Sequence, residues 1–403
     1  MEINNSQDAD RNLSRSFLDE GPVVKATARI MTLGIERNAS DIFIEPSGTA
    51  LRARYRIDDV LYELLSFSPS FHSGIISRIK VMSGLDISEH RLPQEGRFRM
   101  QFQERDVDFR VSVVPTSLGE NAVLRILDKS RVILDIDKLG LDERSISFKK
   151  NLSKPFGMIM VCGPTGSGKT TTLYSALNFI NSPEKNIVTV EDPIEYELPG
   201  INQVPMQEHI GLNFASALRS ILRQDPDIIL VGEIRDSETA DIAIKAALTG
   251  HLILTTLHTT SAPASVVRLV DMGVGPFLIS SSCLLIVSQV LLRTVCGDCR
   301  EPYSLPPDVV CRLKKECPDI PRPDCLYRAK GCPACNDTGY KSRVALAETL
   351  EITPRMKGLI SASATEAEIR NCALEEGMVT LRRSAVGLAA RGITTMEEVV
   401  RVT

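Results

Sequence analysis

The chain has no tryptophan, and aromatic residues make up 5% of its 403 positions. So thin an aromatic supply offers no row of stacking platforms for single-stranded nucleic acid. A basic excess is missing too: 47 lysines and arginines face 51 aspartates and glutamates, for a net charge of −4. There is therefore no chain-wide footprint for nucleic acid or an anionic membrane surface, although a local basic patch stays open. Long apolar runs are lacking as well. The longest uncharged stretch, Met272 to Leu292, holds Ser280, Ser281, Ser282, Ser288 and Gln289 besides Gly273, Gly275 and Pro276. It is too polar to span a membrane and is expected to be a buried helix of a soluble core. The first ten residues, MEINNSQDAD, lack the basic start and apolar centre of a signal peptide. With no export signal, ten cysteines point to reduced thiols in the cytoplasm rather than a disulfide frame. An Asn-Lys-x-Asp motif for guanine recognition is absent, and no internal repeat stands out.

What is present divides the chain. Its length suits two or three domains and a large core. Residues 1–20 are polar and expected to be a flexible lead-in. An amphipathic helix is expected from Pro22 to about Arg37. Leu51, Ala53, Tyr55 and Ile57 then alternate with Arg52, Arg54 and Arg56, a half-buried strand with an arginine-bearing outer face. Asp58 and Asp59 turn it back into Val60–Tyr62. A helix over 71–81 and strands over 97–103, 107–114 and 122–127 complete a small α+β domain at 21–130. A linker is expected at 131–142. Beyond it, in 143–403, short apolar strands at 157–162, 187–190, 228–231 and 252–256 alternate with helices, the pattern of an α/β sheet. One of those helices is expected from Ser237 to Thr249, capped by Asp236 or Ser237 and stopped by Gly250. From Cys296 the chain is rich in cysteine and proline, and after Ala345 it closes in a helical tail that includes 366–374 and 395–402.

The most specific motif is Gly163, Pro164, Thr165, Gly166, Ser167, Gly168, Lys169 and Thr170, which fits the phosphate-loop pattern at every fixed position. An uncharged strand, 157–162, leads in. Leu173, Ala176, Leu177 and Ile180 lie on one face of a helix that leads out. Strand, glycine turn and helix N-terminus gather backbone N–H groups and a positive dipole end around one anion. Lys169 is expected to reach the outer phosphates of a nucleoside triphosphate, and the Thr170 hydroxyl to ligate Mg²⁺.

Three strands end in polar residues, and ligands of such sheets sit beyond the carboxyl ends. Ile187–Val190 delivers Glu191, Asp192 and Glu195. Ile228–Val231 delivers Gly232, Glu233, Arg235 and Asp236, and Leu252–Thr256 delivers His258. Glu233 stands where an acidic residue closes a Walker B strand, with glycine at 232 in place of the usual aspartate. His258 is open to a second reading, a satisfied core histidine. Cys296 with Cys299 and Cys332 with Cys335 form two C-x-x-C pairs, with 32 residues between them (300–331). Together they suit a closed tetrahedral Zn²⁺ site, although ribbons more often space the pairs by about 15–20 residues. Cys311, Cys317 or Cys325 could substitute as a ligand. Redox pairs are the competing reading, and they would be expected near a βαβ start. Cys162, Cys283 and Cys372 read as small buried hydrophobes.

Taken together, Glu191–Tyr196 (EDPIEY), Leu222–Asp236 (LRQDPDIILVGEIRD), Leu248–His251 (LTGH) and Thr256–Thr259 (TLHT) resemble the acidic, Walker B and histidine boxes of one family. That family is the assembly ATPases of type II secretion systems and type IV pili. Ser40–Ile42, Arg91–Gln94, Gly96–Arg97 and Gly119–Glu120 are similar too, so the resemblance covers residue 22 to the C-terminus. It implies a RecA-like ATPase domain after a small α+β domain, with an inserted four-cysteine zinc subdomain (about 293–345) and C-terminal helices (about 346–403). It further implies a cytoplasmic hexamer, peripheral at the inner membrane on a platform protein, that hydrolyses ATP with Mg²⁺ to drive pseudopilus or pilus assembly. By the same resemblance Glu191 is the general-base residue, Glu233 organises Mg²⁺ and water, and His251 and His258 sense the nucleotide. Arg110, Arg125, Arg219, Arg223, Arg235 and Arg268 match arginines that surround it. The cysteine pairs favour the assembly branch over the retraction branch.

Departures exist. Asn121 and Val290 replace common arginines, Thr260 an asparagine and Asp59 a turn glycine. The extra N-terminal domain that docks many members on an inner-membrane partner is expected to be missing. Two other functions fit the motifs in part. A nucleic-acid motor on the same RecA-like core runs against the net charge and the few aromatics, and a nucleotide-sensing scaffold with weak turnover would explain the replaced arginines.

Overall fold

Alternation decides the first unit. In a strand over Leu51–Ile57, Leu51, Ala53 and Tyr55 are fully buried, while Arg52, Arg54 and Arg56 are half-exposed on the other face. The computed structural model describes residues 21–128, 134–141, 144–304 and 326–403. They fall into two units, one ending at residue 132 and one starting at 133.

The first unit is a six-stranded sheet of β1 (Asp41–Pro46), β2 (Leu51–Ile57), β3 (Val60–Phe67), β4 (Gln94–Phe102), β5 (Arg105–Thr116) and β6 (Gly119–Leu127). The order is β3-β2-β1-β6-β5-β4, and every pairing is antiparallel. The apolar faces of helices Pro22–Glu36 and His72–Met82 share its core, through Ile30, Leu33, Ile75 and Ile79 against Ile42, Ile44, Phe109 and Leu124. β1 was not expected from the sequence. It is short and ends in proline, yet it lies inside the sheet between β2 and β6. The β2–β3 turn places both Asp58 and Asp59 in the left-handed region, at φ 48° and 65°. Asparagine and glycine adopt that conformation more readily, so Asp59 carries the strain that a turn glycine would relieve.

The second unit is built on β7 (Gly157–Cys162), β8 (Ile187–Glu191), β9 (Asn202–Pro205), β10 (Ile228–Val231), β11 (Leu252–Leu257) and β12 (Cys283–Val295). A two-stranded ribbon, β13 (Glu301–Tyr303) with β14 (Leu326–Arg328), precedes β15 (Tyr340–Glu351). The sheet order is β15-β12-β7-β11-β10-β8-β9, and β15 alone runs antiparallel to its neighbour. β7, β8, β10 and β11 are buried along their whole length, which is why they read as uninterrupted apolar runs.

The expectation of one buried helix over Met272–Leu292 is corrected here. The stretch divides into a short helix, Pro276–Ser282, and most of β12. β12 lies between β7 and β15 and is largely buried on both faces, so its residues do not alternate, and periodicity cannot separate that from a buried helix. For the same reason the tail opens with β15 before its helices Pro354–Ser361, Glu366–Glu375, Leu381–Ala390 and Met396–Val402. Residues 1–20 and the ends of the expected linker, 131–133 and 142, lie outside the described residues. Within that linker Ile136, Leu139 and Leu141 are buried in the core of the second unit. Among the described residues no helix is long and apolar enough to cross a membrane.

One buried ion pair ties the tail to the sheet. Arg293 on β12 donates from Nε and an Nη to Glu398 Oε2, at 3.1 and 2.8 Å, and stacks 4.0 Å over the Tyr340 ring. Arg401 completes the carboxylate's shell. Burial pushes the Glu398 carboxyl up, but the two arginines outweigh it and hold it at about 2, against an ordinary 4.5. Its contribution to stability is therefore full above about pH 4.5 and drains away as pH falls toward 2. Glu398→Gln should cost about 3 kcal/mol, because it leaves Arg293 buried and uncompensated. In urea denaturation the variant and the parent chain should converge as the pH approaches 2.

Candidate functional site

Parallel strands put their carboxyl ends on one edge of a sheet, and this edge gathers the motifs. Gly163 follows β7, Glu191 closes β8, Glu233 follows β10 and His258 follows β11. Helix Lys169–Ile180 leaves the phosphate loop and buries Leu173, Ala176, Leu177 and Ile180, as its spacing predicts. Its N-cap is Gly168, at φ 87°, and no side chain caps the first turn. The opening amides are therefore left to a ligand rather than to the protein. Pro164, Thr165, Gly166 and Thr170 are exposed, whereas Ser167 is buried with a hydroxyl that has no hydrogen-bond partner. Lys169 Nζ donates to Gly163 O and Pro164 O at 2.9 and 3.0 Å. Burial holds this amine below its ordinary value, partly offset by Cys162 and Glu233. Bare helix amides beside a half-buried ammonium fit the phosphates of a nucleotide, and the exposed Thr170 hydroxyl fits a role as a cation ligand.

Glu233 joins two groups. Its Oε1 meets an Arg235 Nη at 2.5 Å, and its Oε2 lies 3.2 Å from His258 Nε2. Burial pushes the Glu233 carboxyl up, but Arg235 and His258 outweigh it and hold it below 4.5. It therefore stays anionic near neutral pH, as a cation ligand must. The glycine at 232 has a local cause: a Cβ there would come 3.1 Å from Val190 O. Thr256 Oγ1 also donates to Gly232 O, at 2.7 Å.

Glu191 is buried, 4% exposed, and neutral donors hold it. Thr189 Oγ1 and Gln203 Nε2 donate to its Oε1 at 2.6 and 3.1 Å, and the Tyr174 hydroxyl donates to its Oε2. Burial and the nearby Glu191 push the Tyr174 hydroxyl well above its ordinary value, so it remains a donor. Tyr174 sits five residues beyond Lys169 on the same helix, a role the sequence alone does not assign to it. A polar-tipped residue beside an apolar stripe was the available signal.

Other expected site residues lie elsewhere in the unit. His251 precedes β11, at the opposite edge of the sheet from His258, and its Nδ1 lies 3.0 Å from Ala246 O. Arg219 pairs with Glu238, while Arg223 donates to Arg219 O at 3.0 Å. Both are exposed, as is Arg268 on helix Ala262–Asp271. Arg110 and Arg125 belong to the first unit and stand in register on β5 and β6. Arg125 also pairs with Asp41 at 3.0 Å.

The four cysteines converge. Cys296 Sγ is 4.0 Å from Cys332 Sγ, Cys299 Sγ is 3.8 Å from Cys335 Sγ, and Cys332 and Cys335 are 3.7 Å apart. A tetrahedral ion with bonds of about 2.3 Å to sulfur spaces its ligands by about 3.8 Å, so the set fits Zn²⁺. The Cys332 and Gly339 N–H groups each lie 3.2 Å from Cys335 Sγ. Burial pushes that thiol up, but these amides outweigh it and lower it to about 7. Cys162, Cys283 and Cys372 are buried in the core, where burial raises their thiols. Cys311, Cys317 and Cys325 lie outside the described residues.

Comparison with known proteins gives consistent matches. A family model described as type II/IV secretion system protein matches residues 17–401. The type IV pilus assembly ATPase PilB of Myxococcus xanthus is 48% identical over 384 residues, covering 95% of this chain and 68% of that protein. The type II secretion system ATPase E of Vibrio cholerae is 45% identical over 389 residues, covering 96% and 76%. Among solved structures, the pilus retraction motor PilT with bound ADP aligns at TM-score 0.63 and 27% identity, over 93% of this chain and 96% of its own. The Legionella pneumophila ATPase DotB aligns at TM-score 0.70 over 96% and 98%; at 20% identity this is a likeness of fold alone.

Proposed function

This chain belongs to the type II/IV secretion system protein family, and from that premise we propose that it is an ATP-hydrolysing motor for assembly of a type II secretion pseudopilus or a type IV pilus. The observation that carries the proposal is the meeting of an intact phosphate loop, Glu191 and the Glu233–His258–Arg235 group at one sheet edge. Relatives named as pilus-assembly and secretion ATPases support the choice of machine.

In this reading the loop amides and Lys169 bind the phosphates, and Thr170 and Glu233 hold Mg²⁺. Bound there, Mg²⁺ would neutralise charge that develops on the transferred phosphoryl group. Glu191 accepts a proton from the attacking water, its carboxylate oriented by the Tyr174, Thr189 and Gln203 donors. His258 reports the state of the site to Glu233 through their contact. Arg110, Arg125, Arg219, Arg223, Arg235 and Arg268 are assigned to stabilise charge around the nucleotide in a ring, taken as a hexamer. His251 is assigned to sensing at the opposite edge. Cys296, Cys299, Cys332 and Cys335 hold a structural Zn²⁺ that cross-links the loop between β12 and β15. The working location is the cytoplasmic face of the inner membrane, on a platform protein.

Lys169→Ala should abolish tight binding in a fluorescent-ADP titration, and native affinity would refute the phosphate-loop assignment. Glu233→Gln should still bind ATP yet lose about 100-fold or more in kcat, and near-native turnover would move the catalytic role elsewhere. Cys332→Ser should release Zn²⁺ and expose 326–340 to protease. If metal analysis finds full stoichiometry in that variant, the four-cysteine set is wrong.

A further inference from the structure

We propose that Gln289 is a positioning residue for nucleotide binding, a strut from β12 that sets the shape of the phosphate loop before a ligand arrives. The proposal rests on the phosphate-loop reading above. Gln289 is 2% exposed, and both ends of its carboxamide are committed to the loop segment. Its Nε2 donates to Ser167 O at 2.8 Å, and its Oε1 accepts from Thr172 Oγ1 at 2.7 Å, on the first turn of the following helix. Neither bond serves the sheet, because the ladder there is made by backbone groups, with Gln289 opposite Ala347 on β15.

Two further contacts reach the motif's glycines. A Cβ on Gly163 would come 2.3 Å from Gln289 O, and one on Gly168 would come 2.9 Å from Gln289 Nε2. The bareness of both positions is thus set partly by this neighbour, not only by the ligand.

The consequence for binding follows from peptide geometry. In a trans peptide the N–H points opposite the C=O. Drawing the Ser167 carbonyl toward β12 therefore aims the Gly168 N–H the other way, free of the protein's own acceptor. The Thr172 bond keeps the carboxamide from rotating and exchanging its donor for its acceptor. A loop held this way meets its ligand without first paying to become ordered. A buried carboxamide is costly unless both ends are bonded, so an apolar residue of similar length would satisfy the core at least as well. Here the polar side chain serves the loop.

The test uses the full chain with Gln289→Met, Thr172→Val, the double variant, and Lys169→Ala as control. ADP affinity is read by fluorescent-nucleotide titration, and hydrogen exchange is followed in the ligand-free proteins. Gln289→Met should weaken ADP binding about tenfold or more, with faster exchange confined to 163–172. Thr172→Val should lose less, and the double variant should lose no more than Gln289→Met alone, because the two residues act as one unit. ADP affinity within twofold of the parent in Gln289→Met would overturn the proposal. So would faster exchange spread through β7, β12 and β15, which would make Gln289 a residue of the fold alone. Should Gln289→Met fail to fold, Thr172→Val carries the test: unchanged affinity and unchanged loop exchange would then overturn it. Native affinity in Lys169→Ala would instead bring down the phosphate-loop reading itself.

Discussion

A short turn at the end of a buried strand must keep its backbone amides bare, and most of the second unit answers to that constraint. Amides without protein partners are satisfied by water until a ligand replaces it. The turn therefore has to be held open from outside. β7 feeds it from the middle of the sheet, helix Lys169–Ile180 carries it away, and Gln289 ties it to β12. Because β8, β10 and β11 run parallel to β7, whatever follows them arrives at the same edge without any further device. Glu191, Glu233 and His258 reach the loop's neighbourhood through strand direction alone.

The two carboxylates at that edge are held by different partners. Glu233 relies on charge, with Arg235 and His258 outweighing its burial. Glu191 relies on neutral donors in a nearly dry setting, where each hydrogen bond is stronger than it would be in water. β12 then links this edge to the rest of the unit. The strand carries Gln289 beside the loop, Arg293 in its pair with Glu398, and ends one residue before Cys296. Phosphate loop, C-terminal helices and thiol cluster thus share one strand.

Much of this was legible in the residues. The phosphate loop, the four core strands and the four converging cysteines came from fixed spacings and apolar runs, which depend on local geometry. β12 and β15 did not, because a strand covered on both faces loses its two-residue period. Tyr174, Gln203 and Gln289 were hidden for another reason. Each is a single polar residue with a partner between 12 and 122 positions away, and no local pattern announces such a pairing. His251 shows the converse. Its motif is legible and so is its place just before β11, and that place puts it at the amino end of the strand, away from the phosphate loop.

The central claim is that this edge hydrolyses ATP as part of an assembled motor. Phosphate release per chain, measured across protein concentrations alongside light-scattering mass, with and without Mg²⁺, tests it most directly. The account predicts turnover that requires Mg²⁺ and rises as the chains assemble into a ring. A nucleotide-bound monomer that releases no phosphate at any concentration would contradict it.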